Sequence, residues 1–276
     1  MLYGIDISSN QGKIDFNRVK NAGVEFIVIR TTTKNQNPDV RLGEYVKGCC
    51  EFEIPFAFYK YMYALSPDGA RTEAKSVVSA LNTIGVLPSK SVVIYADVED
   101  KTQFSLSTPA LTLVVQAFKE EILSSGYSFG LYMSKSPYET KEVDYTLFND
   151  KIWLARYPFT TARGLKDVPN DTYKPKAKNG ELVGWQHSSK GIVSGINGYV
   201  DLDVFYGDMT IGEVSPSYYA TPEFTLIECL NKIGVYPSME TRKRIAIANN
   251  IPNYTGTKEQ NLLMLALLKD GKLKTV

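Results

Sequence analysis

Short apolar, β-branched or aromatic runs recur along the first two hundred residues, separated by stretches with helical spacing. Segments 2–7, 26–30, 55–59, 92–97, 129–133, 152–155 and 182–186 read as strands, and 16–22, 42–50, 68–84 and 109–123 as helices. Strand–helix repetition of this kind predicts an α/β protein with parallel strands and crossover helices. Seven or eight such strands close more naturally into a barrel than into an open sheet. The later strands lack clear helices, so the barrel is expected to be irregular. Residues 158–181 form a long polar stretch with Lys, Pro and Gly, of the sort that rims a barrel or covers a groove.

The texture changes near residue 212. A Ser/Pro/Tyr stretch over 212–220 reads as a linker, and helical spacing continues beyond it. Phe224, Ile227, Leu230 and Ile233 mark a first helix, with Pro222 suited to its opening turn. Residues 238–249, with Ile245, Ala246 and Ala248, mark a second. The third opens on Thr257-Lys258-Glu259-Gln260, a capping box, and stops before Gly271. The expected organisation is therefore a barrel over 1–211, a linker over 212–220 and a small helical domain over 221–276. Leu262, Leu265 and Leu268 give the third helix a broad apolar face, which leaves room for self-association.

Composition narrows the chemistry. The chain has 276 residues, 43% hydrophobic and 22% charged, the proportions of a globular protein rather than a disordered one. Thirty-one Lys and Arg against 30 Asp and Glu leave a net charge of +1, which argues against nucleic acid as a partner. No run approaches the ~20 apolar residues of a membrane span, so no membrane insertion is expected. The opening MLYGIDISSNQGK lacks a basic segment followed by an apolar run, which predicts synthesis in a cytoplasm without a signal peptide. One His (His187) and three Cys (Cys49, Cys50, Cys229) weigh against a zinc site and against a disulfide framework. Cys49 and Cys50 close an amphipathic stretch with Leu42, Tyr45 and Val46 and read as core rather than as nucleophiles. No metal or other cofactor is expected, and carboxylates remain as the candidates for hydrolysis.

The sharpest local signal is Val92-Val93-Ile94-Tyr95-Ala96-Asp97-Val98-Glu99-Asp100, an apolar strand running into acidic residues at its C-terminal end. In a β/α barrel that end carries the active face. Residues two apart in extended chain point the same way, so Asp97 and Glu99 share a side. Neighbouring, partly desolvated carboxylates raise one another's pKa, so that one can hold a proton for a leaving group. A lone Asp-x-Glu fits a helix cap or an ion pair to Lys101 equally well. Asp6, set within apolar Tyr3-Gly4-Ile5-Asp6-Ile7, breaks the tie, because a carboxylate inside a central strand is costly unless paired or functional. A third acidic cluster, Val200-Asp201-Leu202-Asp203-Val204-Phe205, alternates as a last strand with inward carboxylates. One proton donor beside an ionised carboxylate is what glycosidic cleavage needs. Tyr59, Tyr61, Tyr132, Trp153, Tyr157 and Trp185, at or near strand ends, offer stacking surfaces for sugar rings.

In this order and spacing the motifs resemble the glycoside hydrolase family 25 lysozymes, the N-acetylmuramidases common among bacteriophage endolysins. The resemblance runs from Tyr3 to about Gly207. It rests on Gly4-Ile5-Asp6-Ile7-Ser8 with Gln11-Gly12, Asp97-Val98-Glu99, Ile152-Trp153-Leu154-Ala155 with Tyr157, Gly184-Trp185-Gln186, and Gly195-Ile196-Asn197-Gly198-Tyr199-Val200-Asp201-Leu202. It implies an irregular, flattened β/α barrel that hydrolyses the β-1,4 bond between N-acetylmuramic acid and N-acetylglucosamine in bacterial peptidoglycan. Glu99 then matches the proton donor, Asp6 and Asp97 the supporting acidic positions, and Asp201 the acidic residue of the last strand. Tyr59, Tyr132, Tyr157, Trp185 and Gln186 would line the sugar groove. The resemblance also implies retention of configuration, with either a carboxylate or the substrate's own acetamido group attacking carbon one. It further implies a C-terminal wall-binding module. An endolysin of this kind is made in the host cytoplasm and acts on the bacterial cell wall after release.

Three positions depart from the family pattern. Tyr59-Lys60 stands where Tyr-His is usual, Asp203 stands where Asn follows the last Asp, and Thr31-Thr32-Thr33-Lys34-Asn35 lacks the usual Glu-Gly. Two other readings remain. A chitinase-like hydrolase would carry a longer acidic run, whereas Val93, Ile94, Tyr95 and Ala96 precede Asp97. A non-catalytic glycan-binding barrel would be favoured by loss of a carboxylate.

Overall fold

The computed structural model describes residues 1–207 and 225–275. The expected linker over 212–220, together with Pro222 and Phe224, lies outside the described residues. The chain divides into two compact units, the first holding the strands and the second the C-terminal helices.

The first unit is a closed barrel. Strands β1 (Leu2–Ile7), β2 (Phe26–Arg30), β3 (Phe56–Tyr61), β4 (Val93–Asp97), β5 (Ser128–Ser134) and β6 (Lys151–Ala155) run parallel, each beside the next. Strand β8 (Glu181–Ile192) pairs parallel with β6, and β9 (Val200–Phe205) returns antiparallel between β8 and β1 to close the ring. The parallel pattern expected from strand–helix repetition holds for the other barrel strands and is broken at β9. The reason lies in the short 193–199 connection, which contains no crossover helix and lets the chain reverse onto β8. A two-residue strand β7 (Arg163–Gly164) pairs with the far end of β8, so the 158–181 stretch is a loop that contributes its own edge pairing.

Helices α1 (Phe16–Asn21), α2 (Leu42–Glu51), α3 (Pro67–Thr83) and α4 (Thr108–Ser124) fall where their apolar spacing predicts, and a short α5 (Lys135–Glu139) follows β5. Asp15 caps α1 by accepting from the Arg18 backbone N–H. The buried side of α2 carries Leu42, Tyr45, Val46, Cys49 and Cys50, so both cysteines are core residues, as expected.

Period-two alternation sends one face of each strand inward. Phe26, Val28, Ala57, Tyr95, Tyr132, Trp153 and Phe205 fill the barrel interior. Glycines make room for these rings: a Cβ on Gly4 would meet the Phe26 ring at 2.4 Å, and one on Gly130 the Tyr95 ring at 2.3 Å. Aromatic layers thus plug the barrel below its C-terminal mouth, and polar residues of the same faces stand above them. No helix among the described residues is long and apolar enough to cross a membrane.

On the outer face of β8, His187 is fully buried beside Trp185, ring centroids 5.8 Å apart, and neither ring nitrogen has a hydrogen-bond partner among the described residues. Burial, reinforced by Arg163, lowers its pKa to about 4. The unfolded chain then binds one more proton than the folded chain between about pH 6.5 and the folded value. Stability is expected to fall with acidification across that window, by up to about 3 kcal/mol. Urea unfolding of the wild type and His187→Gln at neutral and mildly acidic pH checks this. A pH dependence that is the same in both would exclude it.

The second unit contains α6 (Leu226–Lys232), α7 (Met239–Ala248) and α8 (Lys258–Lys269). Thr225 with Glu228, and Thr257 with Gln260, form reciprocal capping boxes. Leu226, Leu230, Ile245, Ala246, Ile251, Tyr254 and Met264 make its core. The apolar face of α8 is only partly used there, since Leu262 and Leu263 are about half exposed.

Candidate active site

A groove of about 350 Å³ opens at the C-terminal mouth of the barrel. The strands place its chemistry through their inward registers. Asp6 stands above Leu2 and Gly4 on β1 and directly opposite Asp201 of β9. Asp97 ends β4 opposite Tyr61 of β3 and Tyr132 of β5. Glu99 follows two residues later on the same side, so Asp6, Asp97, Glu99 and Asp201 all line the groove. Tyr59, Tyr132, Tyr157 and Gln186 line it too.

A hydrogen-bond chain fixes Asp6. The Gln186 amide Nε2 donates to Asp6 Oδ2 at 2.6 Å, and its Oε1 accepts from the hydroxyls of Tyr132 (2.7 Å) and Tyr157. With both hydroxyls on the oxygen end, only the N–H end of the amide is left to face Asp6. At the rim, Ser8 caps the turn after β1 in a box with Gln11, and the Tyr45 hydroxyl ties that turn to α2 by donating to the Gly12 carbonyl at 2.6 Å. Arg30 reaches from β2 to Ser9 and pairs with buried Asp39 at 2.7 Å. Its guanidinium therefore braces the rim.

Crowding and burial hold the carboxyls away from their ordinary range. Burial pushes Asp6 up to about 6, opposed by the hydrogen bond from Gln186 and reinforced by the charge of Glu99. Burial and then Asp6 raise Asp201 to about 8. Asp97 is raised well above the usual carboxylate range by burial, then Glu99 and Asp6. Glu99 is raised by burial, then by Asp201 and Asp100. The crowding thus favours protons on Asp97, Glu99 and Asp201, while Asp6, with the Gln186 N–H as its donor, is raised only to about 6.

Trp185 requires a correction. It sits on the outer face of β8, fully buried, with its indole N–H donated to the Arg156 carbonyl at 2.9 Å, and it does not line the groove. Alternation forces this: if Gln186 points inward, Trp185 points out. Trp153 of β6 takes the floor position instead. Tyr63, Asn10 and Arg30 also line the groove and were not foreseen, and Tyr61 was foreseen only as a strand-end aromatic. The Tyr61 and Tyr63 rings stack at 4.7 Å, a platform legible in the alternating Tyr59-Lys60-Tyr61-Met62-Tyr63. Lys60, where the family pattern has His, is fully buried behind the groove and donates from Nζ to the Thr33 carbonyl at 2.9 Å. Among the described residues no group of three or more His, Cys, Asp or Glu side chains is arranged to hold a metal ion.

A second depression, about 320 Å³, lies at the other mouth among Lys90, Lys151, Glu181 and the apolar ends of the strands. It brings together a single carboxylate and has no acid pair.

Comparison with known proteins agrees with the barrel. The chain is 27% identical over 209 residues to an autolytic lysozyme of Clostridium acetobutylicum, an alignment covering 76% of this chain and 57% of that protein. The chain therefore matches little more than half the length of that relative. The fold is similar to that of the bacterial lysozyme from Streptomyces coelicolor, with a TM-score of 0.60 and 20% identity over 75% of this chain and 93% of that one. It is also similar to the catalytic domain of an endolysin from a bacteriophage of Listeria monocytogenes, with a TM-score of 0.56 and 23% identity over 75% and 94% of the two chains. Residues 5–196 match the glycosyl hydrolases family 25, and the chain belongs to that family.

Proposed function

We propose that this protein is a muramidase that hydrolyses the β-1,4 bond between N-acetylmuramic acid and N-acetylglucosamine in bacterial peptidoglycan. The observation that carries the reading is the convergence of Asp6, Asp97, Glu99 and Asp201 in one aromatic-walled groove. Glu99, its pKa raised by burial and its acidic neighbours, gives its proton to the leaving oxygen. Asp6, held ionised by Gln186, faces the positive charge that develops at the anomeric carbon. Asp97 and Asp201 keep the proton inventory of the site high and orient the sugar. Tyr59, Tyr61, Tyr63 and Tyr157 offer ring faces along the groove. Zymography on purified walls, followed by mass spectrometry of the fragments, tests this. New reducing ends on N-acetylmuramic acid are expected. New ends on N-acetylglucosamine would overturn the bond assignment, and a chain that binds walls without clearing them would be a glycan-binding barrel.

The reading extends to an endolysin of a bacteriophage, made in the host cytoplasm and acting on the wall after release, with residues 221–276 as a wall anchor. Its support is the similarity to an endolysin catalytic domain and the separate helical unit with its own core. Anchoring raises local enzyme concentration at the wall without touching the chemical step. A fragment ending near Ile211 is expected to cleave soluble glycan chains normally but to act about 10²-fold more weakly on whole cells. A fluorescent fusion of residues 219–276 is expected to label target walls. If the fusion stays unbound while the fragment lyses cells at full rate, the exposed leucines of α8 serve self-association instead.

A further inference from the structure

The connection from β6 to β8, residues 156–180, contains no α-helix, and loops of that length in a compact domain usually carry function. It holds Arg156, Arg163, Lys166, Lys174, Lys176 and Lys178 against only Asp167 and Asp171, in a chain whose net charge is +1. Positive charge is thus concentrated here, and none of these cations is in a salt bridge among the described residues. Two of them clasp an aromatic pair instead. The Phe159 and Tyr173 rings meet edge to face, centroids 5.6 Å apart, and the two residues are 39% and 38% exposed. The Arg163 guanidinium lies 4.7 Å from the Phe159 ring centroid, and that of Arg156 lies 5.4 Å from the Tyr173 centroid. Arg156 donates to the Tyr173 carbonyl and Arg163 to the Asp167 carbonyl. The rest of each planar fork has no partner among the described residues.

This cluster is anchored beside the groove. The Arg156 backbone N–H donates to the Gln186 carbonyl at 3.0 Å, and the next residue, Tyr157, lines the groove. Arg163 opens β7, which pairs with Gly191 and Ile192 at the C-terminal end of β8. Because β8 runs parallel to β6, that end lies toward the same mouth. We propose that Arg156, Phe159, Arg163 and Tyr173 form a docking surface for the carboxylate-bearing peptide that muramic acid carries in peptidoglycan. Charge and continuity select this occupant. Guanidinium forks match carboxylates in bidentate geometry, and the exposed rings offer apolar area to peptide side chains. The groove itself is lined by Asp6, Asp97, Glu99 and Asp201, which repel an acidic peptide and favour its lying on the cationic rim. A sugar chain in a groove of about 350 Å³ leaves the peptide on its lactyl group to run over that rim.

This inference rests on the muramidase reading for the identity of the ligand, and binding separates the two. The full chain is titrated calorimetrically with N-acetylglucosaminyl-N-acetylmuramyl peptide, which contains no bond that a muramidase cuts. The same disaccharide without its peptide, and with the peptide carboxylates amidated, are the comparisons. The carboxylate-bearing form is expected to bind about tenfold more tightly than either, an advantage that shrinks at high salt. Arg163→Glu is expected to abolish the advantage and Arg163→Lys to keep part of it. Affinity for the peptide-free disaccharide should be the same in all three proteins, which a merely structural role for Arg163 would not preserve. On walls, Arg163→Glu should raise KM about tenfold at unchanged kcat. Equal affinity of the wild type for the three disaccharides would overturn the proposal, as would an undiminished advantage in Arg163→Glu. Binding of poly(glycerol phosphate) that is lost in Arg163→Glu, without any preference for the peptide, would assign the surface to a phosphodiester polymer instead. A peptide preference in a chain that releases no fragments from walls would support the docking surface and reject the muramidase reading.

Discussion

Glu99→Gln is expected to lower wall hydrolysis by about 10²–10⁴-fold without altering the fold. The side chain sits just past β4, half-buried in the groove, and its pKa is raised by burial and by the charges of Asp201 and Asp100. Those conditions shift a glutamate toward the protonated form that a proton donor needs, whereas an exposed one ionises at its ordinary, lower value. Glutamine keeps the shape and the hydrogen-bonding capacity but has no proton of the right acidity to give. Binding of an uncleaved glycan should therefore survive while turnover is lost, so the effect belongs in kcat. Turbidity clearing of wall suspensions, with circular dichroism to confirm folding, measures it. Near-wild-type lysis by a folded Glu99→Gln protein would remove Glu99 from its role. The same assignment predicts an alkaline limb in the wild-type pH profile, where Glu99 loses its proton.

Much of the barrel was legible because its strands are short and strictly alternating. Leu2–Ile7 and Phe26–Arg30 agree with expectation to the residue, and Asp6, Asp97, Glu99 and Asp201 all line the groove, whereas Asp203 is sealed beneath it. Alternation says which residues share a face but not which face is inside, and Trp185 shows the consequence. Trp185 and Trp153 both sit in apolar runs, and only the register against neighbouring strands separates the buried outer ring from the groove floor. The antiparallel course of β9 was hidden for a related reason: strand patterning carries no direction. Asn10 and Arg30 were missed because they enter the groove from a capped turn and a strand terminus fixed by Asp39, a residue distant in sequence from Ser9. Asp203 was visible as an acidic residue in the last strand. Its bond to the Trp153 indole was not, since it depends on a contact between strands 50 residues apart in sequence.

Asp6→Asn is expected to be nearly inactive and yet more stable than the wild type near neutral pH. The loss, about 10²–10³-fold, follows from removing the negative charge that faces the developing cation. The gain follows from linkage. Burial raises the Asp6 pKa to about 6 in the folded chain, so the unfolded chain gives up the proton at lower pH than the folded one. Between the ordinary aspartate value and the folded value, stability is therefore lost as pH rises, by up to about 3 kcal/mol once both states are ionised. Asparagine has no proton to lose and still offers an oxygen to the Gln186 N–H, so that loss disappears. Urea midpoints of the two proteins should converge in mild acid and separate in favour of Asp6→Asn above neutrality. The wild-type rate should also fall in acid as Asp6 becomes protonated, with a limb near the same value of about 6. A variant that is inactive because it is unfolded would show the opposite stability order. One that is stable and active would mean that the charge at Asp6 is not used.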